Sequence, residues 1–341
     1  MILSPLSALY GRAVSWRARW YASGRLASEE LPLPSVAVGN LTFGGTGKTP
    51  FTEFLARRFR FEGRRPAILS RGYGRRTRGV VVVSAGNGPI VSPEDGGDEP
   101  VAMARSAGPG MIVVVGERRA DAARRAAELG ADLLLLDDAF QHLAVRRDVN
   151  LLLVDSRDPF GGGRLPPSGR LREPLDAISR ADAVVVTRVN RGELPAGAAE
   201  EIARRNPRAP VFRAAIRATG LSDEAGSRIE PAEVASRRAI SVCGVANPAD
   251  FAATLRDLGL SPEERIELAD HQHYGERLLE RIRQSAERSG ATFVVTTEKD
   301  AVKLAGRVGL PLLTVRLAVE VEEPEFFPFV ASRIGPRPGA A

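Results

Sequence analysis

The chain has 341 residues, 43% hydrophobic and 26% charged, with a formal net charge of +6. That length carries one large or two medium domains with real cores, and ordinary apolar content at low charge per residue excludes fibrous, low-complexity and disordered classes. A single cysteine, Cys243, excludes a disulfide framework and a cysteine-based zinc site, and it fits a reducing compartment.

The charge is unevenly spread. Of 48 basic residues only Lys48, Lys299 and Lys303 are lysines. Residues 1–80 hold 14 cations against four acids, a net of +10, which leaves −4 for the rest. Codon bias accounts for the excess of arginine, but not for its clustering. A basic end of this kind faces phosphates, a lipid surface or nucleic acid.

Residues 1–26 place apolar side chains at helical spacing, among them Leu6, Leu9, Tyr10, Trp16 and Trp20, interrupted by Arg12, Arg17, Arg19 and Arg25. The uncharged run over 1–11 is too short to span a bilayer, and its charge follows the apolar run, whereas a secretory signal leads with it. Two readings stand side by side: an interfacial helix with both tryptophans beside arginines, or a helix packed on its own domain.

From there, short apolar runs at 35–38, 67–69, 80–83, 111–115, 133–136, 151–154, 183–186, 239–242, 293–295 and 312–315 read as strands buried on both faces. Helical stretches at 50–61, 118–129, 196–205 and 275–289 alternate with them. The alternation predicts a doubly wound, mostly parallel α/β sheet. Pro207, Pro210, Gly220, Gly226 and Pro231 break the rhythm over 207–235 and mark a boundary, after which residue 239 opens a second, smaller α/β unit.

Residues 39–50 (GNLTFGGTGKTP) lie between a strand and a helix, the setting of a P-loop. Gly44, Gly45, Thr46 and Gly47 turn backbone N–H groups toward phosphate, Lys48 reaches the β- and γ-phosphates, and the Thr49 hydroxyl ligates magnesium. Thr42 stands where the usual first glycine would be. A P-loop enzyme also needs a strand-end carboxylate for its metal, and Asp137 and Asp138 follow the leucine run 133–136. The working cofactors are therefore ATP, or GTP, with Mg²⁺.

Three further clusters bear on the acceptor: SRGYG at 70–74, GDEP at 97–100 and DHQHY at 270–274. Singly each reads as a loop, a helix cap or a polar turn. Together with VGNLTFGGTGKTP, LDDAFQH, RDVNLLLVD, LPPSGRLREP and TTEKDAVKL, in that order over roughly 36–304, they resemble the tetraacyldisaccharide 4′-kinases, the lipid A 4′-kinases of Gram-negative bacteria. Ala139 departs from a commoner glycine, and Pro167-Ser168 from a usual Ala-Gly.

The resemblance implies γ-phosphoryl transfer from ATP to the 4′-hydroxyl of a lipid-linked disaccharide 1-phosphate, with Asp98 and His271 as the catalytic dyad. It further implies Thr49, Asp137, Asp138 and Glu99 around the metal, and Tyr73, Arg119, Arg172 and Glu173 orienting ATP or lipid phosphate. His142 and His273 are expected to be supporting or packing residues rather than catalysts. The expected organisation is a membrane-associating helix over 1–28, a P-loop kinase core over 29–215 and a smaller unit over 216–341 that contributes to the site. The enzyme is expected at the cytoplasmic face of the inner membrane as a peripheral protein, on an anionic lipid surface, with no nucleic-acid or obligate protein partner. The alternative is a P-loop switch or scaffold ATPase or GTPase without a lipid acceptor.

Overall fold

The computed structural model describes residues 4–335, so residues 1–3 of the expected first helix and 336–341 of the expected C-terminal unit lie outside it. The strands, in chain order, are β1 (Ser35–Asn40), β2 (Pro66–Ser70), β3 (Val81–Gly86), β4 (Met111–Val115), β5 (Leu133–Leu136), β6 (Val149–Asp155), β7 (Ala183–Thr187), β8 (Val211–Ser222), β9 (Arg228–Ile229), β10 (Ala239–Cys243), β11 (Glu264–Glu267), β12 (Phe293–Thr296) and β13 (Leu312–Val321). The helices are α1 (Ser4–Ala22), α2 (Lys48–Phe61), α3 (Pro93–Gly96), α4 (Asp98–Ser106), α5 (Arg119–Glu128), α6 (Ala198–Arg205), α7 (Pro231–Val234), α8 (Pro248–Asp257), α9 (Glu276–Ser289), α10 (Glu298–Leu304) and α11 (Phe326–Ile334).

All the strands join one sheet in the order β11-β10-β12-β13-β8-β7-β6-β1-β5-β2-β4-β3, with β9 beside β8. From β8 to β4 every neighbour is parallel, and β3 closes the edge antiparallel. Strand direction reverses where β13 meets β8 antiparallel, and β12, β10 and β11 run parallel to β13. The sequence patterning explains this doubly wound form. In β1, Val36 and Val38 enter one core with Phe51 and Leu55 of α2, while Ala37 enters the opposite core with Ala122, Ala123 and Ala126 of α5. A strand buried on both faces has no polar face to alternate, so it reads as a continuous apolar run.

All ten expected strands are present. β8, β9 and β11 are additional. β8 crosses the stretch expected as a boundary, and the position between 215 and 216 falls inside it. Its sequence, VFRAAIRATGLS, is as rich in alanine and arginine as the helices, so composition hides a strand that neighbours on both sides stabilise. α11 then returns to the first core, where Phe326 lies edge-on to Phe51 and Phe212 at 5.6 and 5.1 Å between ring centroids.

The expected first helix is present as α1. One side docks on the 159–174 loop, with the Ser7 hydroxyl donating to Leu165 O at 3.0 Å and the Tyr10 hydroxyl to Arg172 O at 2.9 Å. Leu6, Leu9 and Trp16 are exposed on the helix. No helix among the described residues is long and apolar enough to cross a membrane.

Candidate active site

Parallel strands bring their carboxyl ends to one edge of the sheet, where open α/β folds bind ligands. β1 sits between β5 and β6, so the loop after Asn40 lies beside Asp137 and Asp138. Gly47, at φ 81°, turns the chain into α2, and a Cβ there would lie 2.3 Å from Ile216 Cδ1. The positive φ is what calls for glycine, since the terminal carbon of Ile216 can move aside. Thr42 needs no glycine, because it forms an antiparallel bridge with Leu171 and receives the Asn40 side-chain amide. Lys48 Nζ donates to Asn40 Oδ1 at 3.1 Å and lies 3.6 Å from Asp138 Oδ1. The amino terminus of α2 faces the same loop, adding partial positive charge.

The two strand-end acids differ in surroundings. Asp137 is buried and accepts from the Thr52 hydroxyl at 3.0 Å. Burial, then the neighbouring Glu99 and Asp138 charges, push it up to about 7. Asp138, at φ 47°, accepts from Arg172 Nη1 at 2.7 Å. Burial raises it too, but Lys48 and Arg172 outweigh that and hold it below the usual carboxylate range.

Burial also raises Glu99. The charges of Glu99 and Asp138 both raise the affinity of Asp137 for a proton, so a cation beside Asp137 would relieve that repulsion. Among the described residues no set of three or more His, Cys, Asp or Glu side chains is placed to hold a metal ion by itself. Magnesium takes one or two carboxylates and completes its shell with phosphate oxygens and water. The donors are all oxygen, with Thr49 at the start of α2. Thr46 Oγ1 and the Nε atoms of Arg119 and Arg172 are buried without a hydrogen-bond partner, donors that fit an anionic ligand beside the loop.

Asp98 and His271 stand 173 positions apart in sequence and meet here: His271 Nδ1 is 3.2 Å from Asp98 Oδ2. Gly97, at φ 91°, turns the chain so that Asp98 opens α4, and His271 is itself at φ 58°. Burial would raise the Asp98 carboxyl, but the His271 hydrogen bond and the charges of Lys299 and Lys303 outweigh it and hold it at about 2. The same hydrogen bond raises His271 above its ordinary value. The Tyr73 ring lies 4.8 Å from the His271 ring, so Tyr73 belongs to the dyad's surroundings.

Arg119 is buried, donates to Gly116 O at 2.7 Å and lies 3.4 Å from Asp137 O; burial lowers it to about 10. Glu173 is buried too, and pairs with Arg180 at 2.7 Å. His142 is pushed down to about 4 by burial and by Arg119, so it is neutral near pH 7.

Residues that motif reading left unassigned complete the site. The Thr187 hydroxyl donates to Thr46 O at 2.9 Å, and Arg188 donates to Gly45 O while pairing with Asp155 at 2.7 Å. Lys299 pairs with Asp270, and Lys303 with Asp98. The rarity of lysine was the available signal, since all three lysines of the chain are here.

The tetraacyldisaccharide-1-P 4′-kinase (LpxK) family profile matches residues 1–335. The chain is 40% identical over 328 residues to the tetraacyldisaccharide 4′-kinase of Geobacter sulfurreducens, covering 95% of this chain and 90% of that one. It is 42% identical over 312 residues to the enzyme of that name from Syntrophotalea carbinolica, covering 91% and 84%. Among solved structures, it is similar to the "apo" form of LpxK from Aquifex aeolicus in complex with ATP: 32% identity, TM-score 0.80 and 97% of each chain covered. Matched across its described length in sequence and in fold, the chain belongs to the tetraacyldisaccharide-1-P 4′-kinase family.

Proposed function

We infer that this protein transfers the γ-phosphoryl group of ATP to the 4′-hydroxyl of a tetraacyldisaccharide 1-phosphate, the 4′-kinase step of lipid A assembly. Family membership carries the activity. The 3.2 Å contact between Asp98 and His271, beside the phosphate-binding loop, supports the mechanism. The switch or scaffold ATPase reading is not favoured, because the matched family is one of kinases.

In this mechanism the N–H groups of Gly44, Gly45, Thr46 and Gly47 and the Lys48 ammonium hold the ATP phosphates. Arg172, held by Asp138, adds charge at their edge. The sugar oxygen forms its bond to the γ-phosphorus as the bond to the bridging oxygen of ADP breaks, and the hydroxyl proton passes to Asp98, oriented by His271. A carboxylate held at about 2 is a weak base. That suffices where the transition state is loose and the hydroxyl becomes acidic only as its bond to phosphorus forms. Thr49, Asp137, Asp138 and Glu99 would hold magnesium, which when bound supplies charge neutralisation at the phosphoryl oxygens. The core over 29–215 supplies the nucleotide site and the unit over 216–341 supplies His271; together they exclude water that would hydrolyse ATP. The exposed Leu6, Leu9 and Trp16 of α1 would rest on an anionic membrane surface, at the cytoplasmic face of the inner membrane.

The test is radiolabelled γ-phosphate transfer from ATP to a tetraacyldisaccharide 1-phosphate in detergent micelles. The wild-type protein is expected to label the lipid. Asp98→Ala and His271→Ala are each expected to lose about 10²-fold or more in kcat while ATP still binds. Near-normal turnover in either variant would remove the dyad.

A further inference from the structure

Composition and structure together single out α10. In a chain where nearly every cation is arginine, the retained lysines mark places where a compact ammonium fits and a planar guanidinium does not. Lys48 occupies one such place. The other two, Lys299 and Lys303, lie four residues apart on α10 and therefore on one helical face.

The helix is firmly placed. The Thr297 hydroxyl caps it by accepting from Asp300 N at 3.2 Å. The Asp300 carboxylate is fully buried and accepts from Gly244 N–H at 2.8 Å, the Tyr274 hydroxyl at 2.9 Å and the Thr297 hydroxyl at 2.7 Å. From this base Lys303 Nζ reaches three oxygens: Asp98 Oδ2 at 3.2 Å, Gln272 O at 3.3 Å and Asp300 Oδ1 at 3.6 Å. It also lies 5.0 Å from the centre of the Tyr274 ring. The ammonium thus donates to two acceptors, Asp98 and Gln272 O, and has Asp300 as a third, ion-paired neighbour. The Asp98 oxygen that Lys303 reaches is the one facing His271. Lys299 bridges in parallel, from Asp270 to Glu99 at 3.8 Å.

We propose that Lys303, seconded by Lys299, is a positioning residue for phosphoryl transfer: it fixes the Asp98 carboxylate against His271 and ties the first turn of α4 to the 270–274 segment. The proposal rests on the dyad reading above and adds a residue to it. In this proposal Lys303 acts through Asp98. Without it the carboxylate loses one of the two side-chain contacts at Oδ2, keeping His271 there and the Glu99 N–H at Oδ1. The acceptor hydroxyl then meets a misplaced base.

Steady-state transfer and equilibrium ATP binding in Lys303→Met, Lys303→Arg and Asp98→Asn, and in Lys303→Met combined with Asp98→Asn, test this. Lys303→Met is expected to lose about 10- to 100-fold in kcat, the scale of a misplaced catalytic group, with KM for both substrates and ATP affinity unchanged. Lys303→Arg is expected not to restore the rate. In the Asp98→Asn background the Lys303 change should cost nothing further, because its effect runs through that carboxylate. Full turnover in Lys303→Met or Lys303→Arg, or losses that multiply in the double variant, would overturn the proposal while leaving the dyad intact. High turnover in Asp98→Asn alone would overturn the dyad itself, and the proposal with it. Should Lys303→Met fail to bind ATP, Lys303→Ala, which likewise removes every donor to Asp98, takes its place with the same expected outcomes.

Discussion

At the scale of single residues, the site works by setting opposite charges where neither can relax. His271 is raised because its Nδ1 faces the Asp98 carboxylate. Replacing that carboxylate removes the charge that favours the protonated ring, while burial and the nearby Lys299 still disfavour it. In Asp98→Asn the His271 pKa should therefore fall, and nuclear magnetic resonance titration can read it directly, since the chain has three histidines. An unchanged value would mean that the two side chains do not meet in solution. Asp98, His271, the loop glycines, Lys48 and the strand-end acids were all legible as motif residues. What spacing could not supply was contact. Lys299 and Lys303 lie some 200 positions from Glu99 and Asp98, and no local pattern encodes those two pairs.

At the scale of elements, the phosphate loop shows how one position answers to both local and distant constraints. Gly47 holds φ 81° to start α2, and its missing Cβ leaves room for Ile216 of β8. Gly47→Ala should impose about 1–3 kcal/mol of backbone strain, displace the loop and weaken ATP binding. Adding Ile216→Val relieves only the steric part, so affinity should recover partially; full recovery in that double variant would show that the backbone angle is not limiting. The left-handed turn was predictable from the Gly-Lys-Thr sequence, whereas its neighbour was not. β8 was invisible as a strand because its alanines and arginines suit a helix equally well, and pairing with β7 and β13 decides the matter.

At the scale of the molecule, one sheet runs through both halves, and the chain's last helix returns to the first core. Phe326 is buried against Phe51 of α2 and Phe212 of β8. Phe326→Ala should cost about 3–5 kcal/mol in chemical denaturation, the usual penalty for emptying an aromatic site in a core. It should also weaken ATP binding, because α2 begins at the phosphate loop. A loss of stability with ATP affinity untouched would show that α11 does not support the loop. The bridge of Arg157 between Asp155 and Asp250, joined by Arg188, links the ends of β6 and β7 to α8 in the other half.

The sequence by itself determined the fold class, the phosphate loop, the strand-end acids and the family, because each is written in residues close together or in motifs whose order survives without coordinates. Periodicity reports only which faces of an element are apolar. It does not report which distant element covers them. Tertiary structure alone decided that β8 and β13 join the halves into one sheet, that strand direction reverses between them, and that the 270–274 segment reaches the first turn of α4. Those outcomes depend on pairing and packing between segments far apart in the chain, where the free energy of contact is set by partners that no local window contains.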